Sequence, residues 1–166
     1  MTLVFNARDA TGDIDGVFFP VQDMRKYIKE IAYKHNLKDD WLNDGCKGYI
    51  TPQMGTEDLL ILSNLKVFSV NAEGLLAMKL IAARPNTNDL SDSLFLMKSL
   101  DIQTEQRLFD IINKYTHPKT HTMSVKFFTI EAYTQFKQTQ AYENERQSKA
   151  KTEMKQHKKK RSRDAR

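Results

Sequence analysis

Cysteine and long apolar runs are nearly missing from this sequence, which has Cys46 as its one cysteine among 166 residues. A single cysteine cannot form an internal disulfide bond, and this is typical of a reducing compartment. No stretch approaches the roughly 20 apolar residues that cross a membrane. The N-terminus also lacks the basic and then apolar pattern of a secretory signal. We therefore expect a cytoplasmic protein with no membrane partner.

Several familiar chemical motifs are missing as well. The sequence has no Walker-type glycine loop and no Rossmann fingerprint. His117 and His121 flank a short loop without the spacing of a zinc site, and Cys46 has no nearby histidine that would suggest a thiol enzyme. Carboxylates and lysines are therefore the candidate functional groups.

Negative charge is scarce at one end of the chain only. Residues 146–166 hold 10 of the 26 Lys and Arg residues but 2 of the 21 Asp and Glu residues, a net charge of +8 that leaves −3 for residues 1–145. Such a run is more typical of a solvated end than of a specific binding element, although it attracts nucleic acid in a salt-sensitive way. We expect a basic, disordered tail over 146–166, with RNA as its candidate partner.

Apolar spacing predicts strands in the first part of the chain and helices in the rest. Predicted strands cover residues 12–19, 59–62 and 65–70. Predicted helices cover residues 21–36, 72–83, 88–101, 104–116 and a long segment from about Ser124, with a brief helix capped by Asp39 or Asp40 and running through Asn43. The fold class is therefore α+β, with a strand-containing part over 1–70, a helical part over 71–145 and the tail.

The stretch "TGDIDGVFF", residues 11–19, places Asp13 and Asp15 on either side of one isoleucine. Side chains alternate along a strand, so both carboxylates lie on one face with Cα atoms about 6.7 Å apart. Mg²⁺ takes oxygen ligands from one or two carboxylates and from substrate phosphates, which such a pair supplies. The alternative is a solvated strand end, because so short a motif is common by chance.

Lys79 interrupts the apolar stripe of the helix predicted for residues 72–83. The stripe consists of Leu75, Leu76, Leu80 and Ala83. A lysine there must extend its ammonium group to solvent, pair with a carboxylate or face a site. Asp89 and Asp92, one helical turn apart, can pair with Lys79 or Arg84, or can cap the next helix at its N-terminus.

Three stretches in this order resemble a known family: "RDATGDIDGVFFP", "DWLNDGCKGYI" and "LKVFSVNAEGLLAMKLIAARPNTNDLSDSLFLMKSLDI". The family comprises small nucleotidyltransferase-like proteins of the polymerase-β superfamily that are related to the AbiEii abortive-infection toxins. The resemblance covers residues 3–135, and several spaced motifs in order are more specific than any one of them. It implies a small mixed sheet with flanking helices, which forms the core over 1–70, and a helical C-terminal half.

The resemblance also implies a chemistry, in which Asp13 and Asp15 hold Mg²⁺ or Mn²⁺ and Lys79 and Asp92 complete the catalytic set. Thr11, Lys79 and Arg84 are expected to bind the NTP. The candidates for the third carboxylate are Asp92 first, then Asp89, Asp44 and Asp58. The implied reaction moves a nucleotidyl group to an RNA, protein or small-molecule acceptor with loss of pyrophosphate. A toxin role, with an antitoxin as partner, belongs to the same resemblance.

One family element is absent from this sequence. The family carries a Gly-Gly-[Ser/Thr/Ala] motif before the Asp-x-Asp strand, whereas this sequence begins "MTLVFNARD". Three explanations are open: a misplaced start codon, a truncated and inactive protein, or a partner chain that supplies the motif. Exposure of Leu3, Val4, Phe5 and a sheet edge would favour a homodimer.

Two further functions compete with nucleotidyl transfer. The first is a catalytically inactive descendant that keeps the fold and acts as an interaction or nucleic-acid-binding protein through the basic tail. The second is a structural or regulatory helical protein whose carboxylates are solvated. Metal-dependent NTP binding separates the enzyme from both.

Overall fold

The computed structural model describes residues 12–82 and 87–164, with side chains as far as residue 150 apart from residue 147. It contains both strands and helices, as the α+β prediction requires. The strands are β1 (Ile14–Asp15), β2 (Leu42–Asn43), β3 (Thr56–Ile61) and β4 (Lys66–Val70). The helices are α1 (Val21–His35), α2 (Ala72–Ala82), α3 (Asp89–Ser99), α4 (Glu105–Tyr115) and α5 (Met123–Asp164).

The strands of the described residues form two separate sheets rather than one mixed sheet. β1 pairs with β2 in parallel, with Ile14 opposite Leu42 and Asp15 opposite Asn43. β3 pairs with β4 in antiparallel orientation, with a bulge between Asp58 and Leu60. Parallel and antiparallel pairs are therefore both present, but each lies in its own two-stranded sheet.

β1 is much shorter than the strand predicted over residues 12–19. Its ladder consists of Ile14 N–H donating to the carbonyl of Trp41 at 2.7 Å and Gly16 N–H donating to that of Asn43 at 2.8 Å. β2 ends at Asn43 because the chain turns there into a 3₁₀ helix, Gly45–Gly48. The brief helix predicted through Asn43 is wrong, since these residues extend to pair with β1.

The helical part packs around α2, which contacts α3, α4 and α5. Its start is fixed by Asn71, whose Oδ1 accepts a hydrogen bond from Gly74 N–H at 2.8 Å, as a helix N-cap does. Leu76 and Leu80 of α2 are fully buried, as is Leu108 of α4. This core fixes the position of α2 relative to α3. The second candidate site described below lies between these two helices.

α5 is the longest element, and its buried residues lie near its beginning. Val125, Thr129, Ala132 and Phe136 face the core, and an ion pair of Glu143 with Lys98 at 2.8 Å ties the helix to α3 further along. The same helix then continues through residues 144–164, a length of about 30 Å at 1.5 Å per residue. Disorder of the tail stays a prediction. Among the described helices, none has the length and apolarity to cross a bilayer.

The β3–β4 hairpin contrasts with this core because every residue of β3 is exposed. Leu60, Leu62 and Leu65 are 44–52% exposed, and Phe68 is 52% exposed. An isolated two-stranded hairpin is marginally stable in water unless a third strand or a helix covers it. The hairpin therefore presents an apolar surface to its surroundings.

Candidate functional site: two carboxylate centres

The first centre contains the Asp-x-Asp pair predicted from the sequence. Asp13 and Asp15 are exposed and the intervening Ile14 is half-buried, which is the alternation expected of a strand edge. The parallel partner strand brings residues 43 and 44 alongside, because the carboxyl ends of parallel strands meet at the same edge. The edge that carries Asp15 therefore also carries Asp44.

Gly45 lets the carboxylate of Asp15 approach the turn after β2. A Cβ atom at this position would lie 2.9 Å from Oδ1 of Asn43 and 3.4 Å from Oδ1 of Asp15, so a larger residue would displace one of them. The Gly45 N–H donates to that same Asn43 oxygen at 2.9 Å. The turn is therefore built around two side-chain oxygens, one of them from the Asp-x-Asp pair.

The negative charge at this edge affects the pKa of the Cys46 thiol. Partial burial raises the pKa of Cys46, and the carboxylates of Asp15 and Asp44 raise it further by electrostatic repulsion of the thiolate. The cysteine is thus a poor nucleophile at neutral pH, which agrees with the absence of a histidine partner in the sequence. Asp15 and Asp44 are therefore both near the Cys46 thiol.

These carboxylates suit a hard divalent cation in their chemistry, since they offer oxygen donors that reach solvent. Over residues 12–82 and 87–164, however, no group of three or more His, Cys, Asp and Glu side chains converges tightly enough to hold a metal ion. A cation at Asp13 and Asp15 would therefore complete its coordination with water and substrate phosphates. Mg²⁺ commonly binds in this way, through one or two carboxylates.

The second centre is an ion-paired triad between α2 and α3. Lys79 Nζ lies 3.0 Å from Oδ1 of Asp89 and 2.9 Å from Oδ2 of Asp92. The side chains are 20%, 2% and 4% exposed respectively. Of the alternatives left open by the sequence, Lys79 pairs with carboxylates instead of extending its ammonium group into solvent.

Local structure explains why both aspartates reach Lys79. They occupy the first turn of α3, where the helix dipole stabilises negative charge. Asp89 N–H donates to Oγ1 of Thr87 at 3.2 Å, and the buried hydroxyl of Ser93 donates to the Asp89 carbonyl at 2.7 Å. These backbone hydrogen bonds fix the first turn of α3, from which both aspartate side chains reach Lys79. Two of the three N–H groups of Lys79 are directed at the two carboxylates.

The two centres lie on elements that pack separately. β1 packs on β2, whereas α2 packs on α3, α4 and α5. The structure therefore brings Lys79 to Asp89 and Asp92 and places Asp15 and Asp44 at one sheet edge, but the described carboxylates of the two sets do not join into one metal-binding cluster. Asp58, the remaining alternative for the third carboxylate, lies on β3 opposite Phe68. The predicted nucleotide-binding residues Thr11 and Arg84 lie outside the described residues.

A third charged cluster was not anticipated from the sequence. Glu73 on α2 accepts hydrogen bonds from Arg107, from Lys114 at 3.1 Å and from the Tyr115 hydroxyl at 2.8 Å. Burial opposes ionisation of Glu73, but the hydrogen bonds from Tyr115 and Lys114 and the charge of Arg107 outweigh it, so its pKa lies below the ordinary value. The cluster fastens α2 to α4. In the sequence, the only indication that Arg107, Lys114 and Tyr115 share a helix face is their spacing of i, i+7 and i+8.

Comparison with protein-family models, with curated proteins and with solved structures finds no match for this chain. The resemblance to nucleotidyltransferase-like proteins therefore stays a prediction that depends on the motifs and their spacing.

Proposed function

We propose that this chain is a nucleotidyltransferase-like protein that transfers a nucleotidyl group from an NTP to an RNA, protein or small-molecule acceptor. The observation that carries the proposal is the parallel pairing of β1 with β2, which puts the exposed Asp15 and the residue that follows β2, Asp44, at the same edge of the sheet. Ligands of open α/β sheets bind outside the carboxyl ends of parallel strands. A nucleotidyltransferase-like fold and a cytoplasmic location belong to the same proposal.

In this reaction the acceptor oxygen forms a bond to the α-phosphorus, and the bond from that phosphorus to the oxygen bridging to the β-phosphate breaks. Pyrophosphate leaves with the electron pair, and the acceptor hydroxyl releases its proton to solvent water. Asp13 and Asp15 are the residues that would hold Mg²⁺ or Mn²⁺, with Asp44 at the same sheet edge as Asp15. The bound ion supplies neutralisation of phosphate charge, which is the main requirement of phosphoryl transfer.

Lys79 and Asp92 take a specific place in this proposal. Because Asp89 and Asp92 engage two of the three Lys79 N–H groups, their carboxylates orient the ammonium group. A lysine held in this way offers one remaining N–H to a phosphate oxygen. Asp92 orients Lys79 in this proposal and is therefore a positioning residue.

The decisive experiment is transfer of label from each α-labelled NTP into total RNA and protein, with Mg²⁺ or Mn²⁺. We expect transfer by the wild type and none by the Asp13→Asn, Asp15→Asn double variant, because loss of both ligands removes the ion. The Asp110→Asn, Glu131→Gln variant is the matched control, since it also removes two exposed carboxylates. Equal transfer by all three proteins, or none by the wild type, would contradict the proposal.

The toxin role within this proposal has a cellular test. Induced expression of the wild type is expected to arrest growth, whereas the Asp13→Asn, Asp15→Asn variant is not, if transfer onto a cellular acceptor is the toxic event. Rescue by a co-expressed neighbouring gene would identify an antitoxin. Growth arrest by the double variant as well would separate toxicity from transfer.

A second candidate function is nucleic-acid binding without catalysis, and the continuation of α5 favours it. Residues 144–164 continue the helix after the ion pair of Glu143 with Lys98, and net positive charge of the chain is concentrated in residues 146–166. Binding through phosphate contacts weakens steeply as salt rises. We expect full-length protein, but not a variant lacking residues 146–166, to bind RNA with such a salt dependence in fluorescence anisotropy.

A homodimer is part of the proposal as well. The exposed leucines of the β3–β4 hairpin support it, since apolar sheet surfaces are commonly covered by another chain. Light scattering after size exclusion gives the mass directly. A monomer mass at micromolar concentration would remove this part and leave the enzymatic proposal intact.

A further inference from the structure

A groove of about 360 Å³ lies between α1 and residues 39–44. Its size lies within the range of pockets that hold small ligands. The floor is apolar and consists of Phe18, Ile28 and Leu42. The groove ends at β2, the strand that pairs with β1, so it adjoins the edge that carries Asp15.

One wall of the groove is cationic and is supplied by α1. Arg25, Lys26 and Lys29 line it, at positions that share one side of the helix. Arg25 lies 3.8 Å from Asp44 across the groove, and Lys26 lies 4.0 Å from Glu30. Within residues 12–82 and 87–150, Lys29 forms no salt bridge. This wall therefore has positive charge that the surrounding chain does not fully neutralise.

The opposite wall is acidic and is formed by Asp39, Asp40 and Asp44. Neither Asp39 nor Asp40 forms an ion pair with any residue in the described part of the chain. Asp44 directly follows β2, whose parallel pairing with β1 sets Asp15 opposite Asn43, so the acidic wall adjoins the Asp-x-Asp edge. The groove thus has two charged walls of opposite sign above an apolar floor.

We propose that this groove binds a nucleoside triphosphate together with its divalent cation. The cationic wall of α1 contacts the phosphates, and the apolar floor takes the base and ribose. The acidic wall adjoins the edge at which Asp13 and Asp15 would hold the cation. A ligand of one charge would be repelled by one wall, whereas a metal–triphosphate carries both signs. The choice of a triphosphate rests on the proposed function, but the ligand class follows from the walls and the floor.

Trp41 makes binding observable without any reaction. It is the one tryptophan of the sequence, and it lies between Asp40 and Leu42, which both line the groove. Its ring N–H donates to the Ile28 carbonyl of α1 at 3.0 Å. A ligand that contacts both α1 and residues 39–44 is therefore expected to change the fluorescence of this half-buried ring.

The test is a titration of Trp41 fluorescence with MgATP, MgGTP, MgCTP and MgUTP, checked by calorimetry. The Lys26→Gln, Lys29→Gln variant is expected to weaken binding about tenfold, because two charge-assisted contacts to phosphate are lost. The matched control is Lys34→Gln, Lys137→Gln, which removes two exposed lysines outside the groove and is expected to bind as the wild type does.

The possible outcomes distinguish a failure of the groove proposal from a failure of the proposed function. Equal weakening by the groove variant and its control would reduce the effect to overall charge and overturn the inference. If the Lys26→Gln, Lys29→Gln variant transfers label with an unchanged KM for NTP, the inference that the groove binds the triphosphate is wrong. The proposed function would still stand. Binding that this variant alone weakens, without any transfer by the wild type, would support the groove and overturn the proposed function. No binding of any triphosphate by the wild type would overturn both.

Discussion

The two parts of the described molecule use charged side chains in opposite ways. In the helical part, Lys79, Asp89 and Asp92 are largely buried and satisfy one another. In the strand-containing part, Asp13 and Asp15 are exposed on a short strand edge. Carboxylates that a single family motif set would join into one site therefore have different environments here. The buried ones connect α2 to α3 through Lys79, and the exposed ones lie at the surface of the strand-containing part.

The largest expected effect comes from breaking the buried triad. Lys79→Met leaves two buried carboxylates facing each other without a cation, and we expect it to lower the free energy of unfolding by about 3–5 kcal/mol. Lys66→Met at the start of exposed β4 is the control and should change it by less than about 0.5 kcal/mol. Urea denaturation followed by circular dichroism measures both. Equal losses of unfolding free energy in Lys79→Met and Lys66→Met would contradict the difference between the helical part and the strand-containing part.

The Glu73 cluster is expected to give an intermediate effect that depends on pH. Because the folded-state pKa of Glu73 is lowered, its stabilisation is present above the unfolded-state pKa and is lost as pH falls through the folded-state pKa. At about pH 7 we expect Glu73→Gln to cost about 1–2 kcal/mol of unfolding free energy, with its partly exposed partners discounted. The difference from the wild type should shrink as pH falls below about 4.

Urea denaturation at several pH values measures this trend, with Glu131→Gln on the exposed side of α5 as the control. A cost of Glu73→Gln that is constant across the same pH range would mean that packing, and not ionisation, fastens α2 to α4.

The smallest expected effect lies at the exposed edge. Asp15→Asn removes one of the charges that raise the Cys46 pKa, so the thiolate fraction increases and alkylation by iodoacetamide at about pH 8 should accelerate about two- to threefold. Asp23→Asn on α1 serves as the control. The stability of Asp15→Asn should match that of the wild type, since the side chain is exposed. An unchanged alkylation rate would place Asp15 too far from the turn after β2 to share a ligand with Asp44.

Elements with local signals were predicted well from the sequence. The apolar spacing of α1, and the capping residues Asn71 before α2 and Thr104 before α4, specify those helices, because these contacts lie within a few residues of one another. The two strands of the β3–β4 hairpin were predicted for the same reason, at 59–62 and 65–70, although β3 begins three residues earlier than predicted and their pairing was not predicted. The pairing of Lys79 with the two aspartates was foreseen as an alternative, since a lysine on an apolar stripe needs a partner.

Elements that depend on distant partners were not predicted. β2 has two residues and becomes a strand through its bonds to β1, about 28 residues earlier in the chain, so no local pattern reveals it. The groove was not predicted either, for a related reason. Arg25, Lys26 and Lys29 are ordinary polar residues of an amphipathic helix until residues 39–44 fold against them.

The continuation of α5 past Glu143 makes the molecule an electric dipole. Residues 146–164 of this helix have nine Lys and Arg against two Asp and Glu, a net charge of +7, and they follow the part of α5 whose residues are buried. In the field of a polyanion such a particle experiences a torque as well as an attraction, so it approaches with the helix end first and the body trailing. Orientation of this kind acts before any contact forms, and added salt shortens the distance over which it operates.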